Sequence, residues 1–126
     1  MDEVVKQLYV GTVEDARQLI GRSGWYAICV LEQAPEWWPK DWVSVPVFNP
    51  AVGRANHLNL DIVSGIIGEH IRLGDNVLVC CNMSVERSPL AVAWYLSKEM
   101  HVPLEEAYTI VERKHPITQR RLQWLG

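Results

Sequence analysis

Apolar residues in this chain fall into short continuous runs, separated by longer stretches in which they recur at helical spacing. Leu8-Tyr9-Val10-Gly11 is a brief apolar run closed by glycine and reads as an edge strand. Thr12 then caps a helix through Ile20, with Val13, Ala16, Leu19 and Ile20 on one face. Trp25 to Leu31 is apolar throughout, at the length of a buried strand. Gln33 to Asp41 holds two prolines and two tryptophans and reads as a surface loop. Trp42 to Phe48 is strand-like again, with Pro46 favouring an edge or irregular position, and a loop follows from Asn49 to Asn56.

Asn56 caps a long helix to about Leu73, on which Leu60, Val63, Ile67 and Ile71 share a face. Gly74-Asp75 turns the chain into a short, highly apolar strand, Asn76 to Cys80. Ser88-Pro89 opens the next helix, because proline is well tolerated in a first turn. Its apolar residues Leu90, Val92, Ala93, Trp94 and Leu96 run nearly all round, which predicts a buried helix. Pro103 starts another through about Lys114, with Leu104, Ala107, Tyr108 and Val111 inward, and Pro116 begins a last short one with Leu122 and Leu125. Strands alternating with helices predict a single α/β domain over residues 1–126, its mainly parallel sheet covered on both faces.

Composition narrows the functional classes. At 126 residues and 48% apolar the chain has enough material for a core. A net charge of −3 and a pI near 5.8 argue against a nucleic-acid binder. The start, Met1-Asp2-Glu3-Val4-Val5-Lys6, has no long apolar stretch of the secretory type, and no run has the length of a membrane span. Three cysteines, two of them adjacent, do not make a disulfide framework and point to a reducing cytoplasm. Six tryptophans (25, 37, 38, 42, 94 and 124) are assigned to cores and their edges.

The chemistry concentrates in Cys80-Cys81-Asn82-Met83-Ser84-Val85-Glu86-Arg87-Ser88-Pro89. A loop from the C-terminal end of a parallel strand to a helix N-terminus is where α/β folds bind ligands. Backbone N–H groups of Asn82, Met83, Ser84, Val85, Glu86 and Arg87, with the positive end of the following helix, form a nest for phosphate. Cys81 sits at the floor of that nest, where the same donors favour its thiolate. Arg87 offers a planar fork to two phosphate oxygens, and Ser88 a hydrogen bond to the sulfur. The implied catalysis is two-step: attack by Cys81, loss of the alcohol, then hydrolysis of the thiophosphate, with no metal or other cofactor. A cysteine and an arginine six positions apart carry little by themselves; the strand before and the Ser-Pro helix start after give them their meaning. The plain alternative is a cysteine that ends a buried strand and an arginine that decorates a helix terminus.

Cys81 to Ser88 fits the Cys-x5-Arg-Ser/Thr signature of the cysteine-based protein tyrosine phosphatases, and the whole chain resembles a minimal dual-specificity phosphatase domain. Leu8 to Gly11 resembles that family's opening strand, Ala91 to Leu96 the helix after its phosphate loop, Val102 to Ala107 the start of the next helix, and Pro116 to Leu125 the closing segment. The resemblance implies a central sheet of four or five strands flanked by helices. It also implies a monomeric enzyme that hydrolyses phosphomonoesters, on a phosphorylated protein or another substrate. Phosphotyrosine, phosphoserine, phosphoinositide and RNA 5′-phosphate all fit the signature.

Three positions depart from the family pattern. Cys80 stands where the family usually has histidine, which orders the loop. Ser84 stands where glycine is common because it tolerates a positive φ. Asn49 stands where the family has its general-acid aspartate, and no Asp or Glu occurs from Trp42 through Leu60. Loss of a general acid typically costs about 10²–10⁴-fold in rate. Two substitutes present themselves. Glu86 precedes Arg87, where the myotubularin-like and Sac-like lipid phosphatases carry an aspartate, and His57 opens a helix. Each also has a plain role: Asn49 in an Asn-Pro turn, Glu86 as a solvated carboxylate paired with a neighbouring cation, His57 at a helix start. Asp61 suits a solvent-facing first turn.

The departures support a second reading, a phosphate-binding pseudophosphatase with little turnover. A third, a thiol oxidoreductase using Cys80 and Cys81, is disfavoured because neighbouring strand residues point to opposite faces. Cys29 lies in an apolar run and is assigned to the core. Arg54, Arg120 and Arg121 are candidates for the mouth of the site, with plain surface solvation as the alternative.

Overall fold

The apolar runs form one five-stranded sheet, and the helical stretches cover it on both faces. The computed structural model describes every residue, 1–126. Its strands are β1 (Asp2–Val5), β2 (Leu8–Thr12), β3 (Trp25–Cys29), β4 (Val43–Ser44) and, after a separate two-stranded ribbon of β5 (Phe48–Asn49) and β6 (Arg54–Ala55), the central β7 (Asn76–Cys81). The order across the sheet is β1-β2-β7-β3-β4. Pairing is parallel except at the antiparallel β1–β2 edge. The helices are α1 (Val13–Arg17), α2 (His57–Arg72), α3 (Arg87–Met100) and α4 (Leu104–Lys114), with a 3₁₀ turn at Leu122–Leu125. The fold class and the mainly parallel sheet match the sequence reading.

β7 is central because it is apolar on both faces. Val77, Val79 and Cys81 join Val10, Ile28, Leu60, Ile67, Leu90 and Tyr108 in the larger core, between the sheet and α2, α3 and α4. Leu78 and Cys80 turn the other way, to Val13, Ala16, Leu19, Ala27 and Cys29, with Trp37, Trp38 and Trp42 packed alongside. Burying a Val, Leu or Ile side chain contributes about 1.5–3 kcal/mol. A slip of one residue would exchange the two faces, so these side chains fix the register, and with it the place where β7 ends.

Four expectations need correction. Leu8–Thr12 is not the edge strand, because Asp2–Val5 pairs outside it, with Gln7 at φ 69° making the turn. The acidic start masks a strand whose Val4 is buried. The helix after Thr12 stops at Arg17 rather than Ile20, although Thr12 and Asp15 form the reciprocal capping box. Turns carry the chain on to Gly21 and Gly24, at φ 83° and 82°, which reverse it into β3, so Leu19 stays buried while Ile20 is exposed. Trp42–Phe48 joins the main sheet only at Val43–Ser44, since Pro46 has no N–H to give, and Phe48 pairs instead with Ala55 in the ribbon. Hydrogen bonds from Val45 N–H to Cys29 O and from Val47 N–H to Val30 O still hold that segment along β3. Residues 116–121, which with His115 form a strap, make a turn and then irregular chain instead of a helix. No helix is long and apolar enough to cross a membrane.

Candidate active site

β7 ends at Cys81, and after five intervening residues α3 begins at Arg87. Between them the chain wraps a cavity of about 380 Å³ lined by Cys81, Asn82, Met83, Val85, Glu86 and Arg87 on one side and Leu31, Glu32 and Gln33 on the other. A volume of this size suits a small ligand. Peptide planes set its polarity. The Ser84 carbonyl accepts from His115 Nε2 at 2.6 Å, and the Val85 carbonyl accepts from Gln119 N–H at 2.8 Å. In a trans peptide the C=O and the following N–H point opposite ways, so tying these carbonyls to the strap turns the Val85 and Glu86 amides toward the cavity. The amides of Asn82 through Glu86 donate to no other group of the protein, and α3 carries no side-chain cap. Unpartnered amides and an uncapped helix N-terminus give the loop the kind of donors that hold an anion.

Ser84 takes φ 58°, the left-handed conformation its place in the loop requires. For a residue other than glycine that costs about 1–2 kcal/mol. Ser84 is nearly fully buried and is held from below by the contact with His115. Cys81 lies at the cavity floor, its Sγ 3.2 Å from the buried Ser88 Oγ. Ser88 Oγ in turn is 3.5 Å from the Gly11 carbonyl. A side chain on Gly11 would meet Asp15 Oδ2 at 2.6 Å and Met1 Cβ at 2.8 Å, so β2 passes this close to α1 and the N-terminus only as glycine.

The Arg87 guanidinium stacks 4.9 Å from the Phe48 ring centroid and 5.8 Å from that of Trp124. Its Nε and Nη2 donate to Glu32 Oε2 and Oε1 at 2.9 and 2.6 Å. That bidentate bond to Glu32 holds the Arg87 pKa above its ordinary value, against some loss from burial. Glu86 is also engaged, accepting from Arg121 Nε, whose Nη2 donates to Gln119 at 2.6 Å.

No protein-family model matches the sequence, and no curated protein matches it either. Solved structures do. Human DUSP28 is 23% identical and superposes with a TM-score of 0.81, over 98% of this chain and 90% of that one. A mouse putative dual specificity phosphatase, complexed with zinc tungstate, is 24% identical with a TM-score of 0.79, over 98% of this chain and 80% of its own. This chain has the dual-specificity phosphatase fold. The human tyrosine phosphatase-like serine/threonine/tyrosine-interacting protein shares that fold at 14% identity and a TM-score of 0.77, over 99% of this chain and 90% of its own.

Within this phosphatase fold the candidate residues separate cleanly. Cys81, Asn82, Met83, Val85, Glu86 and Arg87 line one cavity, with Met83 exposed at its rim and Ser84 and Ser88 buried beneath. Asn49 lines an adjoining hollow together with Glu32 and Phe48, and its Oδ1 accepts from Ala51 N–H at 3.0 Å, closing the turn read at Asn-Pro. His57 stands at the start of α2 against Trp94, with ring centroids 5.3 Å apart, and lines neither space. Asp61 is exposed and is held below the usual carboxylate range by Lys98 first and Trp94 second. Arg54 is exposed on β6, Arg120 pairs with Glu112, and Arg121 reaches the site only through Glu86.

Cys80 faces away from Cys81. Its hydrogen bond with Cys29, and then burial, push its pKa well above the ordinary thiol value. All three cysteines are free thiols. No group of three or more His, Cys, Asp or Glu side chains converges as metal ligands would.

Sequence reasoning missed Glu32, His115 and Asp2. Glu32 had a usable signal. It is the first charged residue past β3, and β3 pairs with β7 as Cys29 with Cys80, which brings the two strand ends to one rim. His115 and Asp2 gave none, since their contacts join the two ends of the chain.

Proposed function

We propose that the chain is a cysteine-dependent phosphomonoesterase. The observation that carries this reading is the pair of strap contacts to the Ser84 and Val85 carbonyls, which turn the loop amides onto a space floored by Cys81. A phosphate there accepts from the loop amides and takes the Arg87 fork. The Cys81 sulfur attacks phosphorus, an S–P bond forms, and the P–O bond to the alcohol breaks. Water then attacks phosphorus from the opposite side, releasing inorganic phosphate and restoring the thiolate. Ser88, 3.2 Å away, donates to the sulfur as it departs. With Asn49 in a turn and Glu86 on Arg121, neither position has a carboxyl free to protonate the leaving oxygen. The favoured substrates are therefore esters of acidic alcohols, phenols before aliphatic hydroxyls.

The test is hydrolysis of p-nitrophenyl phosphate by wild type and by Cys81→Ser. We expect turnover only in the wild type, and loss of about 10²–10⁴-fold on an alkyl phosphate. Equal rates for the two proteins would overturn the reading. The engaged states of Asn49 and Glu86 favour one alternative, a module that binds phosphorylated ligands without turning them over. Binding of inorganic phosphate by a wild type that hydrolyses neither ester would establish it.

A further inference from the structure

Beneath the cavity a continuous polar chain runs from Asp2, which the proposed reaction does not use, to Ser88 and Cys81, which it does. Asp2 Oδ2 lies 2.6 Å from His115 Nδ1. His115 Nε2 lies 2.6 Å from the Ser84 carbonyl and 3.1 Å from Ser84 Oγ. Ser84 Oγ is 3.4 Å from Ser88 Oγ, which is 3.2 Å from Cys81 Sγ. His115 is 4% exposed, Ser84 2% and Ser88 0%, in a molecule whose other buried residues are almost all apolar. A buried polar side chain is costly unless every member of its network is satisfied, so such a chain is costly to keep without a role.

We propose that His115, oriented by Asp2, is a positioning residue that holds the phosphate loop in its anion-binding shape and aims donors at the Cys81 sulfur. The argument is one of donors and acceptors. A carbonyl only accepts, so Nε2 donates to Ser84, and Nδ1 shares a hydrogen with the Asp2 carboxyl. The Ser84 hydroxyl, beside that donating nitrogen, is left to give its own hydrogen to Ser88, and Ser88, whose other acceptor is the Gly11 carbonyl at 3.5 Å, gives its hydrogen to Cys81 at 3.2 Å. Every hydrogen between the ring and the sulfur then points the way that favours the anionic sulfur. The same contact fixes the Ser84 carbonyl, and so holds the left-handed φ that a serine does not adopt freely. The loop order that the family draws from a histidine beside the nucleophile is supplied here from the end of α4, where Cys80 occupies that neighbouring position.

The inference rests on Cys81 being the nucleophile, and its test needs no turnover. The rate at which iodoacetamide alkylates Cys81 near neutral pH follows its thiolate character. It is measured for wild type, His115→Leu, His115→Gln, and His115→Leu combined with Ser84→Gly, with thermal unfolding as the check on folding. His115→Leu removes both donors and is expected to slow alkylation about tenfold and weaken protection by inorganic phosphate. His115→Gln keeps one N–H for the Ser84 carbonyl and is expected to recover most of the rate. Ser84→Gly, at ease with a positive φ, is expected to restore phosphate protection to the leucine variant without restoring the alkylation rate. A folded leucine variant that alkylates at the wild-type rate, or a glutamine variant no better than leucine, would overturn the proposal. If His115→Leu does not fold, Asp2→Ala replaces it, since the Asp2 side chain is 46% exposed. Slower alkylation there supports the proposal, and an unchanged rate overturns it. Loss of p-nitrophenyl phosphate turnover with these alkylation differences intact would count against the reaction and not against the positioning role.

Discussion

Arg87 already has a carboxylate across its fork. Glu32 holds Nε and Nη2, the side-on pair that best matches two oxygens of a phosphate. Both side chains are partly exposed, 25% for Arg87 and 32% for Glu32, so the pair is worth about 1 kcal/mol at most despite its good geometry. That energy opposes an incoming phosphate, which must displace Glu32 to use the same donors. Glu32→Gln is therefore expected to bind inorganic phosphate about three- to fivefold more tightly, measured by calorimetry. Weaker binding would mean that Glu32 supports the guanidinium instead of competing for it. At this scale the sequence was half legible. Cys81, Arg87 and Ser88 lie within one turn of chain and announce one another, whereas Glu32 meets Arg87 across 55 residues and His115 meets Asp2 across 113. Glu86 was read as pairing with a neighbouring cation, as it does, but nothing in the local pattern says that the cation is Arg121, 35 residues on.

Among the elements, α4 and the strap that follows it do more than close the fold. Tyr108, fully buried on α4, accepts from the Arg121 N–H at 3.3 Å, and the same strap supplies the Gln119 N–H to Val85. Burial pushes the Tyr108 pKa up to about 12 from 10.0, partly offset by the Arg121 backbone hydrogen bond. Below pH 10 the phenol is neutral in both the folded and the unfolded chain. Above it the unfolded chain loses the proton first, so stability falls as pH rises toward 12. The loss reaches on the order of 2 kcal/mol. Denaturant midpoints between pH 9 and 12 should show this decline in wild type and a shallower one in Tyr108→Phe; parallel curves would contradict it. The long elements were legible from periodicity alone, with α2 beginning at its Asn56 cap as read. The short ones were not, because β1, β4 and the end of α1 depend on what lies beside them in the sheet rather than on their own pattern.

Taken whole, the molecule keeps its three thiols in two unlike places. Cys29 and Cys80 are fully buried on the face covered by α1 and the tryptophan loop, while Cys81 opens onto the cavity on the other side of the sheet. Brief treatment of the folded protein with excess maleimide should add one label, and treatment after unfolding in urea should add three, counted by intact mass. Two labels on the folded protein would refute the placement of Cys29 and Cys80. This sidedness was legible from strand alternation once β7 was recognised, as was the mainly parallel sheet. The closure of the site by the two chain ends was not, since no local pattern links residue 2 to residue 115. That closure bears on how the site comes into being during synthesis. A ribosome that has just released residues 81–88 has delivered Cys81 and the loop, yet the two donors that aim the loop amides arrive only with His115 and Gln119. The sheet can assemble well before then, but the loop amides take their aim only after α4 has been made.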